Sequence, residues 1–364
     1  MPNHPNAEFG QENTLAEPKA IIERSANSQL ELAHRKLVII GLIFLAALSA
    51  RLLVWQNKRA EVAQVQTRVT ENYKHLARLL QQNGFGSFFA ASSTTSNPDL
   101  LGHPPGYSIL VTLIYRMAGE SDAAIQLFQI TCDSLCAVII FLIAIELLPL
   151  GVGTLAGFMA AFAPQFSWNS ILLLPDTLAA LPILLAIYLI IRASKQPRWF
   201  TVFAAGILIG ISCWLRANAL LLAPFLALLL PFVFPRGMRL RLALTLIGGA
   251  SLAIAPLTIR NAVVFGHFIP VSLGAGQTLL EGIADYDEAR RFGLPNTDMD
   301  LIQQEAETHN RPEYATTLFG PDATKRDRER LARGFAVIRD HPFWFVTVMV
   351  RRAASMWRLE RVPL

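Results

Sequence analysis

Charged side chains are scarce in this sequence: Asp, Glu, Lys and Arg make up 16% of its 364 residues, whereas 53% are hydrophobic. Soluble domains carry about 25% charged residues, so this composition excludes an ordinary soluble protein and predicts several membrane-spanning helices. The net charge is +5, but Lys and Arg lie at the ends of apolar runs, where they set membrane topology. Because no basic run with interleaved aromatic residues occurs, we predict no nucleic-acid partner.

Cysteine is also rare, and metal-binding patterns are lacking. The three cysteines, Cys132, Cys136 and Cys213, all fall inside apolar runs, which is typical of small buried hydrophobic residues. The seven histidines form no HExxH or other metal-ligand spacing, and the sequence has no glycine-rich phosphate loop or nucleophile elbow. We therefore predict no cofactor, and the sequence leaves open whether a divalent metal takes part.

The N-terminal segment, residues 1–36, is polar and lacks the basic and then apolar start of a signal peptide. We predict a disordered cytoplasmic tail. Positive charge precedes the first apolar run, 37–55, which keeps the N-terminus in the cytoplasm and places the next loop, 56–122, on the extracytoplasmic side. Arg51 lies within the apolar run, where it either snorkels to the interface or points into a polar cavity.

Apolar runs recur along the chain and predict an all-α polytopic membrane protein with about seven spans between residues 37 and 257. A second external region, 258–341, is polar and contains a predicted helix from Ala323 to Arg339 that Asp322 can cap. The final segment, 342–364, is apolar but interrupted by adjacent arginines. We predict that it forms an interfacial helix or a further membrane span.

The first external loop has a pattern of its own. Residues Ala60–Gln82 carry apolar side chains at helical spacing, with Glu71 on the opposite, charged face. The letters HPPGY at 103–107 then break the chain, because consecutive prolines cannot continue a helix. The apolar segment that follows is shorter than the ~20 residues of a membrane crossing, so we predict an interfacial helix.

Polar groups collect at the predicted extracytoplasmic ends of the spans. Asp176 and Arg216 lie at the ends of adjoining spans, where ionisable groups are costly unless they serve a purpose. A carboxylate can act as general base towards an acceptor hydroxyl, and a nearby cation can neutralise a phosphate leaving group. Two simpler explanations stay open: Asp176 and Arg216 only pair with each other, and the charged face around Glu71 is only solvated.

Six segments, in this order, resemble the polytopic lipid-linked-sugar glycosyltransferases of the GT-C fold, in the protein-mannosyltransferase-like and aminoarabinose-transferase-like group. They are YKHLARLL, HPPGYSILVTLIYRMAG, PDTLAALPILLAIYLI, GILIGISCWLRANALLLAP, TIRNAVVFGHFIPVS and IRDHPFWF, and together they cover nearly the whole chain after residue 37. The resemblance implies a GT-C-like bundle with interfacial helices in the first external loop. It also implies a polyprenyl-phosphate sugar as donor and a hydroxyl on a lipid, glycan or protein as acceptor.

The resemblance further implies roles for particular residues. In the family, an acid about one helical turn before the loop tyrosine acts as the base; here the nearest acid is Glu71, two residues before Tyr73. We therefore predict Glu71 as the base, and its displaced position leaves open Asp99 as the acid, or an inactive chain. Asp176 corresponds to the second acid, which orients substrate. The residues that correspond to the donor-phosphate site are Arg216, Arg260, Asn261 and His103.

We therefore predict a glycosyltransferase of the bacterial inner membrane, with a cytoplasmic N-terminus and an extracytoplasmic active site. Family members continue with several more spans, so we expect a C-terminally truncated or a minimal member. A transporter or flippase stays open, although no inverted repeat supports it. A non-catalytic assembly subunit also stays open, because the acid is displaced and the C-terminal part is short.

Overall fold

The computed structural model describes residues 18–62, 64–65, 67–90 and 98–358, with most of the side chains between residues 29 and 355. Within these residues every regular element is helical, which confirms the predicted all-α polytopic membrane fold. The α-helices in chain order are α1 Pro18–Val62, α2 Thr67–Asn83, α3 Gly106–Ala118, α4 Asp122–Leu147, α5 Leu150–Phe162, α6 Pro164–Ile171, α7 Asp176–Lys195, α8 Trp199–Leu215, α9 Leu222–Val233, α10 Arg239–Phe265, α11 Ala275–Ala284, α12 Asp298–His309, α13 Ala323–Asp340 and α14 Pro342–Arg358.

The apolar helices fall into two classes by length. Among the described residues, α1, α4, α7 and α10 are long and apolar enough to cross a membrane. Three further apolar helices, α5, α8 and α9, are shorter. The predicted number of spans requires that all three of these short helices cross as well, and that point stays a prediction.

The first helix begins earlier than the sequence pattern indicates. α1 starts at Pro18, inside the segment 1–36 that we predicted as a disordered tail, while residues 1–17 lie outside the described residues. Good helix formers such as Ala, Leu, Glu and Gln fill the stretch before the apolar run, so the helix extends beyond the span. The loop helix predicted at Ala60–Gln82 is divided: α1 runs on to Val62, and α2 begins at Thr67.

The break predicted at HPPGY is confirmed, because α3 begins only at Gly106. Proline also divides α5 from α6 at Pro164, which is the first residue of α6. Proline is tolerated in the first turn of a helix, where its missing N–H would have no partner anyway.

α8 and α10 pack closely because small residues line their contact. A Cβ on Gly206 would come within 2.2 Å of the Leu246 carbonyl oxygen, and a Cβ on Gly249 within 2.5 Å of the Phe203 carbonyl oxygen. Such a close backbone approach increases van der Waals contact, which drives helix association in lipid. The contact therefore holds α8, at whose C-terminal end Arg216 lies.

Arg51 points into the protein and does not snorkel. Its side chain is fully buried, its Nε donates to the Asp133 carboxylate on α4 at 2.5 Å, and its Nη1 donates to the Ala161 carbonyl at 2.9 Å. A buried charge is costly unless it is paired and hydrogen-bonded, and carbonyls near the end of α5 carry partial negative charge. This ion pair therefore joins α1, α4 and α5 in the interior.

The region after α10 forms a helical unit in which α11 packs on α13. Glu305 on α12 is buried and accepts hydrogen bonds from Arg326 at 2.8 Å and from Arg330 at 2.6 Å, both on α13. The carboxylate is thus compensated by two guanidinium groups, and removal of either would leave a buried charge poorly paired.

The predicted helix start at Ala323 is confirmed, but the predicted cap is wrong. Asp322 has a left-handed backbone conformation with a φ of 60°, and its side chain makes no capping hydrogen bond. Its carboxylate instead accepts hydrogen bonds from Arg311 at 2.5 Å and from the Tyr314 hydroxyl at 2.7 Å. A charged donor binds a carboxylate more strongly than a neutral N–H does, which explains why the cap is not formed.

The last described helix, α14, carries apolar side chains on its exposed side as well as on its buried side. Val348 is buried, whereas Phe343 is 88% exposed and Val350 is 63% exposed. α14 packs on α13, and Arg352 donates to the Gly282 carbonyl oxygen on α11 at 2.5 Å. Whether α14 lies at the interface or crosses the membrane stays a prediction.

Candidate functional site

An ion pair joins the ends of two neighbouring apolar helices. Asp176 is the first residue of α7, and Arg216 directly follows the last residue of α8. Arg216 Nη2 lies 2.6 Å from Asp176 Oδ1, and the two side chains are 38% and 42% exposed respectively. A carboxylate at a helix N-terminus is favoured by the helix dipole. The predicted pairing of these residues is therefore found, and both partners remain open to solvent.

Tyr73 on α2 lies against this ion pair. Its ring centroid is 5.1 Å from that of His103, and the side chain is only 3% exposed. Burial raises the pKa of Tyr73 to about 12, and Asp176 adds to the rise while Arg216 opposes it. The hydroxyl lies close enough to Arg216 for this effect, but it makes no hydrogen bond of normal geometry to any described residue. A buried hydroxyl without a hydrogen-bond partner lowers stability. The Tyr73 hydroxyl is therefore a polar atom that a ligand bound in the site can use.

His103 stands beside the same pair and is held neutral. Burial lowers the pKa of His103, Arg216 lowers it further, and Asp298 partly offsets both effects. A neutral imidazole carries one donor and one acceptor nitrogen. His103 can therefore donate a hydrogen bond to an anion and accept a proton at its other nitrogen.

Glu71 belongs to a different group of charges. Its carboxylate lies 3.5 Å from Lys74 and 3.4 Å from Arg78, and its side chain is 57% exposed. The same two cations reach the start of α4 and the turn before it, where Lys74 lies 2.8 Å from Asp122 and Arg78 lies 2.6 Å from Glu120. This surface network, defined by these five residues, joins α2 to the start of α4. Its ion pairs include neither Asp176 nor Arg216.

Thr70, the neighbour of Glu71, faces the other way. It is 9% exposed, and its Oγ1 donates to the Leu173 carbonyl oxygen at 3.4 Å, in the segment that leads to Asp176. Successive residues on a helix point about 100° apart. The side of α2 that faces the Asp176–Arg216 pair therefore carries Thr70 and Tyr73, and the charged face carries Glu71.

Arg260 and Asn261 are buried near the end of α10. Arg260 donates through Nε to the Phe88 carbonyl oxygen at 2.9 Å, and its guanidinium lies 4.2 Å from the centre of the Phe88 ring. Asn261 donates to the carbonyl oxygens of Ile269 and Val271, each at 3.0 Å. Arg260 thus joins α10 to the loop that contains Phe88, and Asn261 joins α10 to the turn that follows it.

Three of the four residues predicted to bind the donor phosphate line one narrow cavity. They are His103, Arg260 and Asn261, and the walls are completed by apolar side chains such as Leu76 and Leu257. The fourth, Arg216, acts on His103 electrostatically. The side chain of Asp99, the alternative acid, lies outside the described residues.

Two further acids, Glu281 and Asp298, lie in this neighbourhood, and no motif in the sequence identifies them. Gln277 and Glu281 lie one turn apart on α11, and Gln277 donates to Glu281 Oε1 at 3.2 Å and to Asp298 Oδ1 at the start of α12. Spacing along α11 predicts the first of these contacts. No local pattern predicts the second, because Asp298 follows Glu281 after an irregular loop.

Comparison with known protein families finds a match for the segment that carries Asp176 and Arg216. Residues 102–259 match the family model for dolichyl-phosphate-mannose-protein mannosyltransferase, and they include His103, Asp176 and Arg216. A search of curated proteins finds no match. Together with the membrane-span candidates, the family match supports membrane glycosyltransferase activity in general. The resemblance predicted from the motifs is thus confirmed over residues 102–259, which match a GT-C-type family of membrane glycosyltransferases.

Proposed function

We propose that this protein is an inner-membrane glycosyltransferase. In this proposal it takes a sugar from a polyprenyl-phosphate donor and transfers it to a hydroxyl on a lipid, glycan or protein, at the extracytoplasmic face. The main support is the solvent-accessible Asp176–Arg216 pair, at 2.6 Å, inside the segment that matches the glycosyltransferase family. The N-terminus is cytoplasmic in this proposal, because basic residues precede the first span.

Asp176 acts as general base. The acceptor hydroxyl loses its proton to the Asp176 carboxylate while its oxygen attacks the anomeric carbon of the sugar. The bond between that carbon and the phosphate oxygen breaks, and the electron pair leaves with the polyprenyl phosphate. A positioned base of this kind contributes about 10²–10⁴-fold to the rate.

Arg216 binds the phosphate and stabilises the charge that develops on it. A guanidinium has five N–H donors and binds phosphate through two parallel hydrogen bonds. A bound phosphate therefore competes with Asp176 for Arg216, and this competition frees the carboxylate to accept a proton. The exposure of both side chains, 38% for Arg216 and 42% for Asp176, leaves room for this exchange.

The remaining predicted residues support these two. His103 donates a hydrogen bond to the phosphate, and Tyr73 adds its free hydroxyl to the same group. Arg260 keeps the loop that contains Phe88 against α10, and Asn261 keeps the turn that follows α10 against it. Glu71 stays in the surface network and takes no part in proton transfer.

The test measures sugar transfer or release in proteoliposomes with radiolabelled polyprenyl-phosphate hexoses. We expect Asp176→Asn to lower the rate by about 10²-fold or more. Asp122→Asn is the matched control, because Asp122 also opens a long apolar helix and also pairs with a cation. Full activity in Asp176→Asn would overturn the assignment of the base.

The same preparation separates two other functions. Ion-coupled uptake of a solute into the proteoliposomes, without sugar transfer, would establish a transporter. Binding of the lipid donor without turnover, in a chain that folds and inserts, would establish a non-catalytic subunit.

A further inference from the structure

The hairpin formed by α7 and α8 has a different charge balance at each of its ends. At one end Asp176 and Arg216 form the ion pair of the candidate site. Close to it, the buried Ser212 hydroxyl donates to the Ala179 carbonyl oxygen at 2.9 Å. The other end, residues 192–201, lies about 30 Å away, since α7 has 20 residues and an α-helix rises about 1.5 Å per residue. α7 is long and apolar enough to cross a membrane, so the two ends lie at opposite membrane faces.

A cavity of about 230 Å³ lies between the two helices at this second end. Its lining residues are Leu189, Arg192, Ala193, Gln196, Arg198 and Thr201. The lining thus contains two guanidinium groups, an amide and a hydroxyl, all of which can donate hydrogen bonds, and it contains no carboxylate. A guanidinium binds a phosphate through two parallel hydrogen bonds. The polar part of the cavity therefore matches the chemistry of a phosphate group.

The two arginines of this cavity have no acid beside them. Among the side chains that the structure describes, neither Arg192 nor Arg198 forms an ion pair, and the Arg192 guanidinium lies 5.9 Å from the centre of the Tyr188 ring. Lys195, which lies between them in sequence, is instead paired with Glu146 on α4 at 2.5 Å. α7 has no acid after its first residue, and α8, α9 and α10 have none. The positive charge of the cavity is therefore left for a ligand to compensate.

Exposed aromatic side chains place the cavity at a membrane surface. Trp199 and Phe200, in the first turn of α8, are 51% and 66% exposed, and their rings contact each other edge to face at 5.7 Å. Exposed tryptophan is typical of the boundary between lipid and water. Arginine next to such aromatic residues keeps its charged group at the level of the lipid headgroups. The cavity is therefore at headgroup depth, with an aromatic surface beside it for acyl chains.

A second basic loop lies at the same membrane face as the cavity. α8 and α10 run in the same direction, since Gly206 lies against Leu246 and Gly210 lies against Ala250. The loop before α10, residues 235–241, contains three arginines and no acid, and it therefore lies at the same end of the bundle as the start of α8. Short basic loops are typical of the cytoplasmic face, where the membrane leaflet is rich in anionic lipid.

We propose that the cavity between α7 and α8 binds the headgroup of an anionic phospholipid from the cytoplasmic leaflet. Arg192 and Arg198 bind the lipid phosphate, and Gln196 and Thr201 donate to its remaining oxygens or to headgroup hydroxyls. A lipid with a net negative charge is preferred to a zwitterionic one, because the two guanidinium groups have no counter-ion in the protein. The bound lipid holds the α7–α8 hairpin together at the end opposite to the candidate site, and its binding does not depend on sugar transfer.

The test is a lipid titration of the full chain in detergent, followed by native mass spectrometry. The wild type should bind phosphatidylglycerol about tenfold or more tightly than phosphatidylcholine, because hydrogen bonds between charged groups exceed ~1.4 kcal/mol. The double variant Arg192→Gln/Arg198→Gln should lose this preference, and its apparent Kd for phosphatidylglycerol should rise by about tenfold or more. Equal affinity of the wild type for the two lipids would overturn the proposal.

The double variant Arg236→Gln/Arg241→Gln is the matched control. It removes the same number of positive charges from the basic loop at the same face, but neither of its residues lines the cavity. Its apparent Kd for phosphatidylglycerol should stay within about fivefold of the wild type, as expected for exposed charges. Equal losses of affinity in the two double variants would mean that the whole basic face attracts the lipid, and they would overturn a site between α7 and α8.

Thermal unfolding in the same detergent separates a lipid from a soluble phosphate. Saturating phosphatidylglycerol should raise the unfolding midpoint of the wild type by about 2 °C or more, and it should leave that of Arg192→Gln/Arg198→Gln unchanged. The unfolding transition also shows that each variant is folded, as expected when exposed arginines without ion pairs are replaced. Inorganic phosphate at the same concentration should give no such rise, because it lacks the acyl chains. An equal rise with inorganic phosphate would overturn the lipid as the ligand.

Discussion

Two groups of charges on this protein contain the same residue types in different surroundings. Glu71 lies 3.4 Å from Arg78 within an exposed network on α2, and Asp176 lies 2.6 Å from Arg216 at the ends of two apolar helices. In the first group each acid has a nearby cation, and the network joins two helices. In the second, a buried tyrosine hydroxyl and a neutral histidine lie beside the pair. The second group thus adds a buried hydroxyl and an imidazole to its ion pair, and these added polar groups distinguish the candidate site from the surface network.

At a third ion pair, which takes no part in the proposed reaction, the contribution of ion pairing to stability can be measured by itself. Arg51 and Asp133 are buried inside the bundle, so Arg51→Met should destabilise the protein by about 3–5 kcal/mol, because it leaves an uncompensated carboxylate. Lys58→Met on the same helix breaks an exposed pair with Glu61 and should cost about 0–1 kcal/mol. Thermal unfolding in lipid checks both values. Equal losses would mean that the buried pair is hydrated and that burial does not distinguish the pairs.

The next effect compares two arginines, one in each group of charges: Arg216 and Arg78. Arg216→Gln should lower sugar transfer by about 10²–10³-fold, as expected when a group that stabilises developing charge is removed. Arg78→Gln should change the rate within about fivefold, since exposed pairs contribute about 0–1 kcal/mol. Initial rates at saturating donor measure both. A reversed order would place the phosphate site at the surface network.

Tyr73→Phe tests the hydroxyl that has no partner among the described residues. Removing an unpaired buried hydroxyl should leave the thermal stability unchanged or slightly higher. If the hydroxyl binds the phosphate, the rate should fall about tenfold, which corresponds to about 1.4 kcal/mol. Loss of stability together with full activity would give Tyr73 a packing role only.

Local patterns in the sequence predict much of the scaffold. Consecutive prolines predict the break before α3, and RAN at 216–218 interrupts a long apolar run where α8 ends. The apolar stripe of α2 places Glu71 on the polar face, as the structure has it. That same stripe opposes a role for Glu71 at the Asp176–Arg216 pair, because the buried face carries Thr70 and Tyr73 instead.

Contacts between distant segments account for what the sequence does not predict. Arg260 binds the carbonyl of Phe88, which lies 172 residues earlier, and Gln277 joins Glu281 to Asp298 across an irregular loop. No period or motif predicts the contact of Arg260 with Phe88 or that of Gln277 with Asp298. Asp322 fails as a cap for the same reason, since Arg311 and Tyr314 compete for its carboxylate through tertiary contacts.

The smallest effect is expected for Glu71→Gln, which tests whether the base lies in the surface network or in the Asp176–Arg216 pair. Glu71→Gln removes one carboxylate from an exposed network in which Lys74 and Arg78 keep their other partners, Asp122 and Glu120. Stability should change by about 0–1 kcal/mol, and transfer should stay within about fivefold of the wild type. Radiolabelled transfer at several pH values measures the rate. A loss as large as that in Asp176→Asn would return the base to the first external loop, because an amide keeps the shape of Glu71 and removes only its charge.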